Sequence, residues 1–273
     1  MAFELMYITN RTDVALAAEA AGVDRIWVDL ETLGKEERQK NFDSVKSHHS
    51  LEDIAAIKSV LTKSKLQVRV NPVYEGSEAE IDQAITNGAD ILMLPMFKTV
   101  TEVEKFVDMV NGRAKVLLLL ETREAEEIID DILEVKGIDE IHIGLNDLHI
   151  SHHLDFMFEL MINGVVDGLC EKIRKKGIPF GIGGIAALGQ GTLPADMIFA
   201  EDWKQGCSRV ILSRGFIQPE EDMGRFAKVF KERVQDLRNY EKSLSEKKKD
   251  FFESNKEQMK AIIENIVESG RKA

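Results

Sequence analysis

The chain is poor in the residues that mark oxidising or lipid surroundings. It has two cysteines, Cys170 and Cys207, far apart and without a CxxC spacing. That usage argues against a disulfide framework or a zinc ribbon and makes a reducing cytoplasm the expected compartment. No apolar run approaches the about 20 residues of a membrane span. The opening MAFELMYITN lacks the basic start and long apolar core of a signal peptide. Positive charge is also scarce. Lys and Arg number 36 against 48 Asp and Glu, a net charge of −12. An acidic surface argues against a nucleic-acid or anionic-membrane partner. No GxGxxG follows the first apolar run, which weakens the case for an open dinucleotide-binding sheet.

What is present is a regular alternation of apolar runs and helical patterns. Strands are predicted at 3–9, 25–31, 66–71, 90–95, 115–121, 140–145, 179–185 and 209–213. Helices are predicted at 13–21, 50–62, 77–86, 100–110, 125–134, 157–175 and near 194–204. Gly22, Gly88, Gly112, Gly137, Gly177 and Gly206 each fall just before a strand, where helices end. Eight strand-helix units point to a parallel sheet closed as a (β/α)8 TIM barrel over 1–218. Residues 219–273 carry no strand signal. Phe251, Phe252, Met259, Ile262, Ile263 and Ile266 recur there at helical spacing between charges. One or two long helices are expected, packed on the barrel or on another subunit, and not an independent domain.

A barrel works at the C-terminal ends of its strands. Two apolar runs end there in acids, Leu117–Glu121 and Ile141–Asp147. A buried carboxylate needs a partner, and two at adjacent strand ends suit a hard divalent cation, Mg2+ or Mn2+. The alternative is that each caps a helix or joins an ion pair. Strand two delivers Asp29 and Glu31, strand three Arg69 and Asn71, strand four Pro95, and strand eight Ser213 and Arg214. A guanidinium at Arg69 can grip a carboxylate with two parallel hydrogen bonds, or pair structurally with Asp29 or Glu31. His48 and His49, on the long loop after strand two, are either idle at the surface or candidates for a general base. His142 lies mid-strand and reads as core.

In this order and spacing, Val28-Asp-Leu-Glu31, Val68-Arg-Val-Asn71, Gly88–Pro95, Leu120-Glu-Thr122 and Gly137–Leu148 resemble the HpcH/HpaI aldolase and citrate lyase β-subunit family. The resemblance covers about residues 3–216. It implies Glu121 and Asp147 as ligands of Mg2+ or Mn2+, and Arg69 as the binder of a substrate carboxylate or enolate oxygen. Asp29 and Glu31 would complete the acidic network, with Asn71 and Pro95 beside the substrate. The implied chemistry is carbon–carbon lysis through a metal-stabilised enolate of pyruvate or a related 2-oxo acid, with an aldehyde as the second substrate. A homo-oligomer is implied as well. Two departures stand out. The aldolases carry a histidine where this chain has Thr32, and the CoA-ester lyases carry an aspartate there. An acyl-CoA or phosphorylated substrate, and a barrel that binds without catalysis, therefore stand as alternatives.

Overall fold

In the computed structural model, residues 2–34 and 49–270 are described. Eight parallel strands close into a barrel in chain order. They are β1 (Glu4–Ile8), β2 (Arg25–Asp29), β3 (Lys65–Arg69), β4 (Ile91–Leu94), β5 (Lys115–Leu120), β6 (Glu140–Ile143), β7 (Phe180–Ile185) and β8 (Arg209–Leu212). The eight expected strands are all present.

The surrounding helices are α1 (Thr12–Ala21), α2 (Leu51–Val60), α3 (Ser77–Thr86), α4 (Val100–Val110), α5 (Arg123–Glu127) and α6 (Ile129–Ile132). They continue with α7 (Leu145–Ser151), α8 (Val165–Lys176), α9 (Ala195–Gln205), α10 (Met223–Leu244) and α11 (Lys249–Gly270). Local chemistry sets their starts. Thr99 and Glu102 form a reciprocal cap on α4: the Glu102 N–H donates to Thr99 Oγ1 and the Thr99 N–H to Glu102 Oε2.

Three helical expectations differ from the structure. The stretch 125–134 is two short helices rather than one. The stretch 157–175 is a single 3-10 turn, Met157–Met161, followed by α8. The break falls at Gly164, whose φ of 95° favours glycine. Helix α7 was not anticipated, and it places Asp147 in a first helical turn rather than at a strand end.

Strand alternation divides the core in two. Outward side chains such as Leu5, Val28 and Leu118 pack under the helices. Trp27, Ile91, Met93, Leu117 and Leu119 fill the middle of the lumen. Below them, at the N-terminal end, the lumen is ionic. Arg25 donates to both oxygens of Glu140, at 2.5 and 2.9 Å, and also pairs with Glu4. Arg209 pairs with the same Glu140. Burial by itself would raise the Glu140 carboxyl, but the two guanidinium groups hold it below the usual range.

Beyond β8, α10 packs on α1 and α11 on α9. Phe226, Phe230, Val234 and Leu237 of α10 are buried. Glu241 accepts from the Phe3 N–H, and Arg238 donates to the Phe3 carbonyl at 2.6 Å. The extension is thus tied to the first strand of the barrel.

Candidate active site

The C-terminal mouth of the barrel opens a cavity of about 760 Å³. Its walls include Asp29, His49, Arg69, Glu121, His142 and Asp147. A neighbouring cleft of about 470 Å³ shares Glu121 and Asp147 and is bordered by Lys98 and Arg123. The two carboxylates therefore stand where the two spaces meet.

Arg69 is the cationic centre. Asp29 and Arg69 are register partners on β2 and β3. Arg69 Nε donates to Asp29 Oδ1 at 2.7 Å and Nη2 to Oδ2 at 2.8 Å. Its Nη1 lies 3.3 Å from Glu31 Oε2, and its guanidinium sits 5.0 Å from the centre of the Trp27 ring. Burial alone would lower its pKa, but Asp29 and Glu31, with Glu121 beyond them, raise it above the usual arginine range. The acids fix the plane of the guanidinium, so it meets a ligand already oriented.

Glu121 follows the last residue of β5 and is buried. Its Oε1 accepts from the Met96 N–H at 3.2 Å, and Met96 has a left-handed φ of 54°. Such backbone is rare outside glycine and persists where surroundings impose it. Here it aims an amide at the carboxylate. Gly144 makes room on the other side: a Cβ there would lie 2.9 Å from Glu121 Oε2. Asp147 is half-buried on the first turn of α7.

Not every expected residue reaches the cavity. Asn71 does not line it. Its Oδ1 accepts from the Thr32 and Leu33 N–H groups at 2.8 and 3.0 Å, and its Nδ2 donates to Glu80 at 2.8 Å. Asn71 braces the loop after β2 rather than facing substrate. Pro95 is also absent from the wall, and its neighbour Met96 borders the cleft instead. Glu31 lies behind Arg69. His48 lies outside the described residues. His49 does line the cavity, but its Nδ1 accepts from the Asp29 N–H at 2.9 Å. The neutral ring then carries its proton on Nε2 and offers a donor.

His142, read as core, is fully buried and also borders the cavity. Its parity could have signalled this, since it alternates with Glu140 and Gly144 on the lumen side of β6.

Among the described residues, no group of three or more His, Cys, Asp or Glu forms a ready cation cage. The donor set at the mouth still suits a hard cation. Glu121 and Asp147 line the same cavity and cleft, and two carboxylates with water complete a common Mg2+ or Mn2+ arrangement.

A closed parallel barrel whose mouth sets Glu121 and Asp147 on one cavity with the clamped Arg69 defines a class of α/β-barrel proteins with a small-molecule site. Residues 5–155 match the family model HpcH/HpaI aldolase/citrate lyase. The chain belongs to that family, whose members act on carbon–carbon bonds. Over 161 residues it is 26% identical to 2-keto-3-deoxy-L-rhamnonate aldolase of Shigella dysenteriae serotype 1. That match covers 48% of this chain and 57% of the relative, so little more than half the relative's length is spanned. The solved HpcH/HpaI aldolase of Desulfitobacterium hafniense DCB-2 is similar at a TM-score of 0.60 and 18% identity, over 78% of this chain and 86% of that one. An HpcH/HpaI aldolase/citrate lyase family protein of Burkholderia cenocepacia J2315 gives 0.61 and 17%, over 87% and 95%. At such identities the structural likeness speaks for the fold alone.

Proposed function

We propose that the protein is a divalent-cation-dependent carbon–carbon lyase that works through the enolate of pyruvate or a related 2-oxo acid. The observation that carries this reading is the pair Glu121 and Asp147, set where the cavity and the cleft meet, with Arg69, held by Asp29 and Glu31, on the same cavity. Glu121 and Asp147 would hold Mg2+ or Mn2+, which when bound supplies a Lewis acid for the carboxylate and keto oxygens of a 2-oxo acid. Arg69 places a fixed positive charge beside the oxygen that becomes negative as the enolate forms. Asp29 and Glu31 keep that guanidinium in plane, so little reorganisation is needed during the reaction. His49 lines the cavity beside them, with its Nδ1 accepting from the Asp29 N–H. Trp27, Leu119 and Ile211 give the cavity a dry floor that strengthens these charge interactions.

A larger anionic substrate, an acyl-CoA or a phosphorylated compound, is a second reading. Arg11 and Arg214 on the opposite rim favour it, after β1 and β8. Arg214 is exposed there and has no ion pair among the described residues.

Exchange of the pyruvate C3 protons with deuterium, followed by NMR with Mg2+ or Mn2+, tests the first reading without knowledge of the aldehyde. Metal-dependent exchange that disappears in Glu121→Ala is expected. Its absence with every metal tried would sink that reading and favour the second.

A further inference from the structure

The β7 wall of the cavity is built almost without side chains. It runs Phe180-Gly-Ile-Gly-Gly-Ile185, and Gly183 and Gly184 both line the cavity. Its pairing to β8 shifts register: Gly181 pairs with Arg209, and Gly184 with Ile211. Between these pairs two residues on β7, Ile182 and Gly183, oppose one on β8, Val210, which is a bulge. Gly183 sits in it with a left-handed φ of 44°. A stretch with glycines at 181, 183 and 184, bent by an extra residue, has little of its own on the cavity side to hold one path.

His142 supplies what is missing. It projects from β6 into the lumen beside that bulge. Its Nε2 lies 2.8 Å from the Gly183 carbonyl, and since a carbonyl only accepts, Nε2 carries the proton. The other edge of the ring is closely fitted. A Cβ on Gly181 would lie 2.8 Å from His142 Nδ1 and 2.6 Å from Arg209 Cγ. Gly181 must therefore be glycine for the ring to lie where it does. A Cβ on Gly183 would come within 3.0 Å of Leu145, the first residue of α7, which carries Asp147 two positions on. The bulge is thus wedged between the imidazole and the helix that presents one of the candidate cation ligands.

We propose that His142 is a positioning residue that fixes the β7 wall of the substrate cavity, by clamping the Gly183 carbonyl and with it the Gly183–Gly184 bulge. Its role at a substrate-binding wall rests on the lyase reading above; the clamp itself does not. Without the clamp the two glycines gain alternative backbone paths, and substrate binding must then restrict them.

Three variants separate reach from bulk. His142→Phe fills the space without a donor. His142→Gln places an amide N–H at about the reach of Nε2. His142→Asn carries the same amide one bond short. In the metal-dependent pyruvate exchange assay, Phe and Asn are expected to raise KM about five- to tenfold, the scale of one lost hydrogen bond. Their kcat and Mn2+ affinity should stay within about twofold, and Gln should restore most of KM. An unchanged KM in Phe and Asn, a failure of Gln to rescue, or a parallel loss of kcat and Mn2+ affinity would each overturn the proposal.

A second readout does not need activity. In the native protein, a slowly exchanging His142 Nε2–H with NOEs to the Gly183 and Gly184 α-protons is expected by NMR. His142→Gln should keep the Gly184 amide shift and His142→Asn should move it. If the native chain shows no exchange with any metal, the lyase reading fails, and this NMR result alone decides the clamp. Absence of the NOEs, or equal Gly184 shifts in all variants, would overturn it.

Discussion

The two ends of the barrel lumen carry similar residues in different settings. At the N-terminal end, Arg25, Arg209 and Lys115 meet Glu4 and Glu140. Positive and negative groups are nearly matched, and each acid is in contact with a cation. At the C-terminal end, Asp29 and Glu31 hold Arg69, while Glu121 and Asp147 line the cavity together and Arg11 and Arg214 stand on its rim. One end satisfies itself and reads as structure. The other sets acids and arginines along an open cavity and reads as a place for a cation and a substrate. In such barrels the chemistry lies at the C-terminal face and stability at the other.

The comparison breaks first at the matched end. Glu140→Gln removes the carboxylate shared by two buried guanidinium groups, and breaking such a pair typically costs about 3–5 kcal/mol. Chemical denaturation should show that loss, while the pyruvate KM of the folded fraction stays unchanged. A change in KM without loss of stability would reverse the roles assigned to the two ends.

His142, between the ends, sharpens the comparison through pH. Burial, with Arg209 and Arg25 nearby, pushes its pKa down to about 4 against the bond to Gly183. The unfolded chain gains this proton near the ordinary 6.5. The folded state therefore binds fewer protons between those values, and stability falls as pH drops through that window. The shift corresponds to about 3 kcal/mol. Unfolding midpoints from pH 7 to 4.5 should show a shallower acid loss in His142→Phe than in the native chain. Parallel curves would contradict a buried neutral imidazole.

At the C-terminal end, Arg69→Lys keeps the charge but loses the planar fork that Asp29 orients. Exchange is expected to fall about 100-fold with folding intact. Equal activity would mean that Arg69 only neutralises Asp29 and Glu31.

The smallest effect lies outside the lumen. Asp202 on α9 is fully buried and neither carboxylate oxygen has a hydrogen-bond partner among the described residues. Burial, then the nearby Glu201, raises its pKa well above the ordinary value. The folded state holds this proton longer than the unfolded chain, so the group weakens folding as pH rises above about 3.8. Asp202→Asn should stabilise the protein at pH 7 by about 1–2 kcal/mol, and the gain should shrink on acidification. A loss of stability would mean that the carboxyl has a role the amide cannot fill.

Much of this was legible in the chain itself. Strands buried on both faces read as apolar runs, and glycines such as Gly22 and Gly177 end the helices before them. That sufficed for a closed eight-stranded barrel. Helix α7 was obscured because Leu145–Ser151 is short and its apolar residues continue the run of β6. The ionic layer was obscured because Arg25, Glu140 and Arg209 stand at strand starts, where charge usually means solvent. Only closure of the barrel turns them inward together. The ion pairing of Arg69 with Asp29 and Glu31 was foreseeable from neighbouring strand ends. The bracing role of Asn71 was not, because it depends on where the loop after β2 folds back. The clamp between His142 and Gly183 depends on a bulge, and one extra residue in a glycine-rich strand leaves no periodic signature.

The central claim is that Glu121 and Asp147 hold a divalent cation. Titration of the protein with Mn2+, read by the loss of free-ion EPR signal, tests it directly in the native chain, Glu121→Gln, Asp147→Asn and Glu140→Gln. One tight site per chain is expected in the native protein and in Glu140→Gln, and none in the other two variants. Equal Mn2+ binding in all four would contradict the claim.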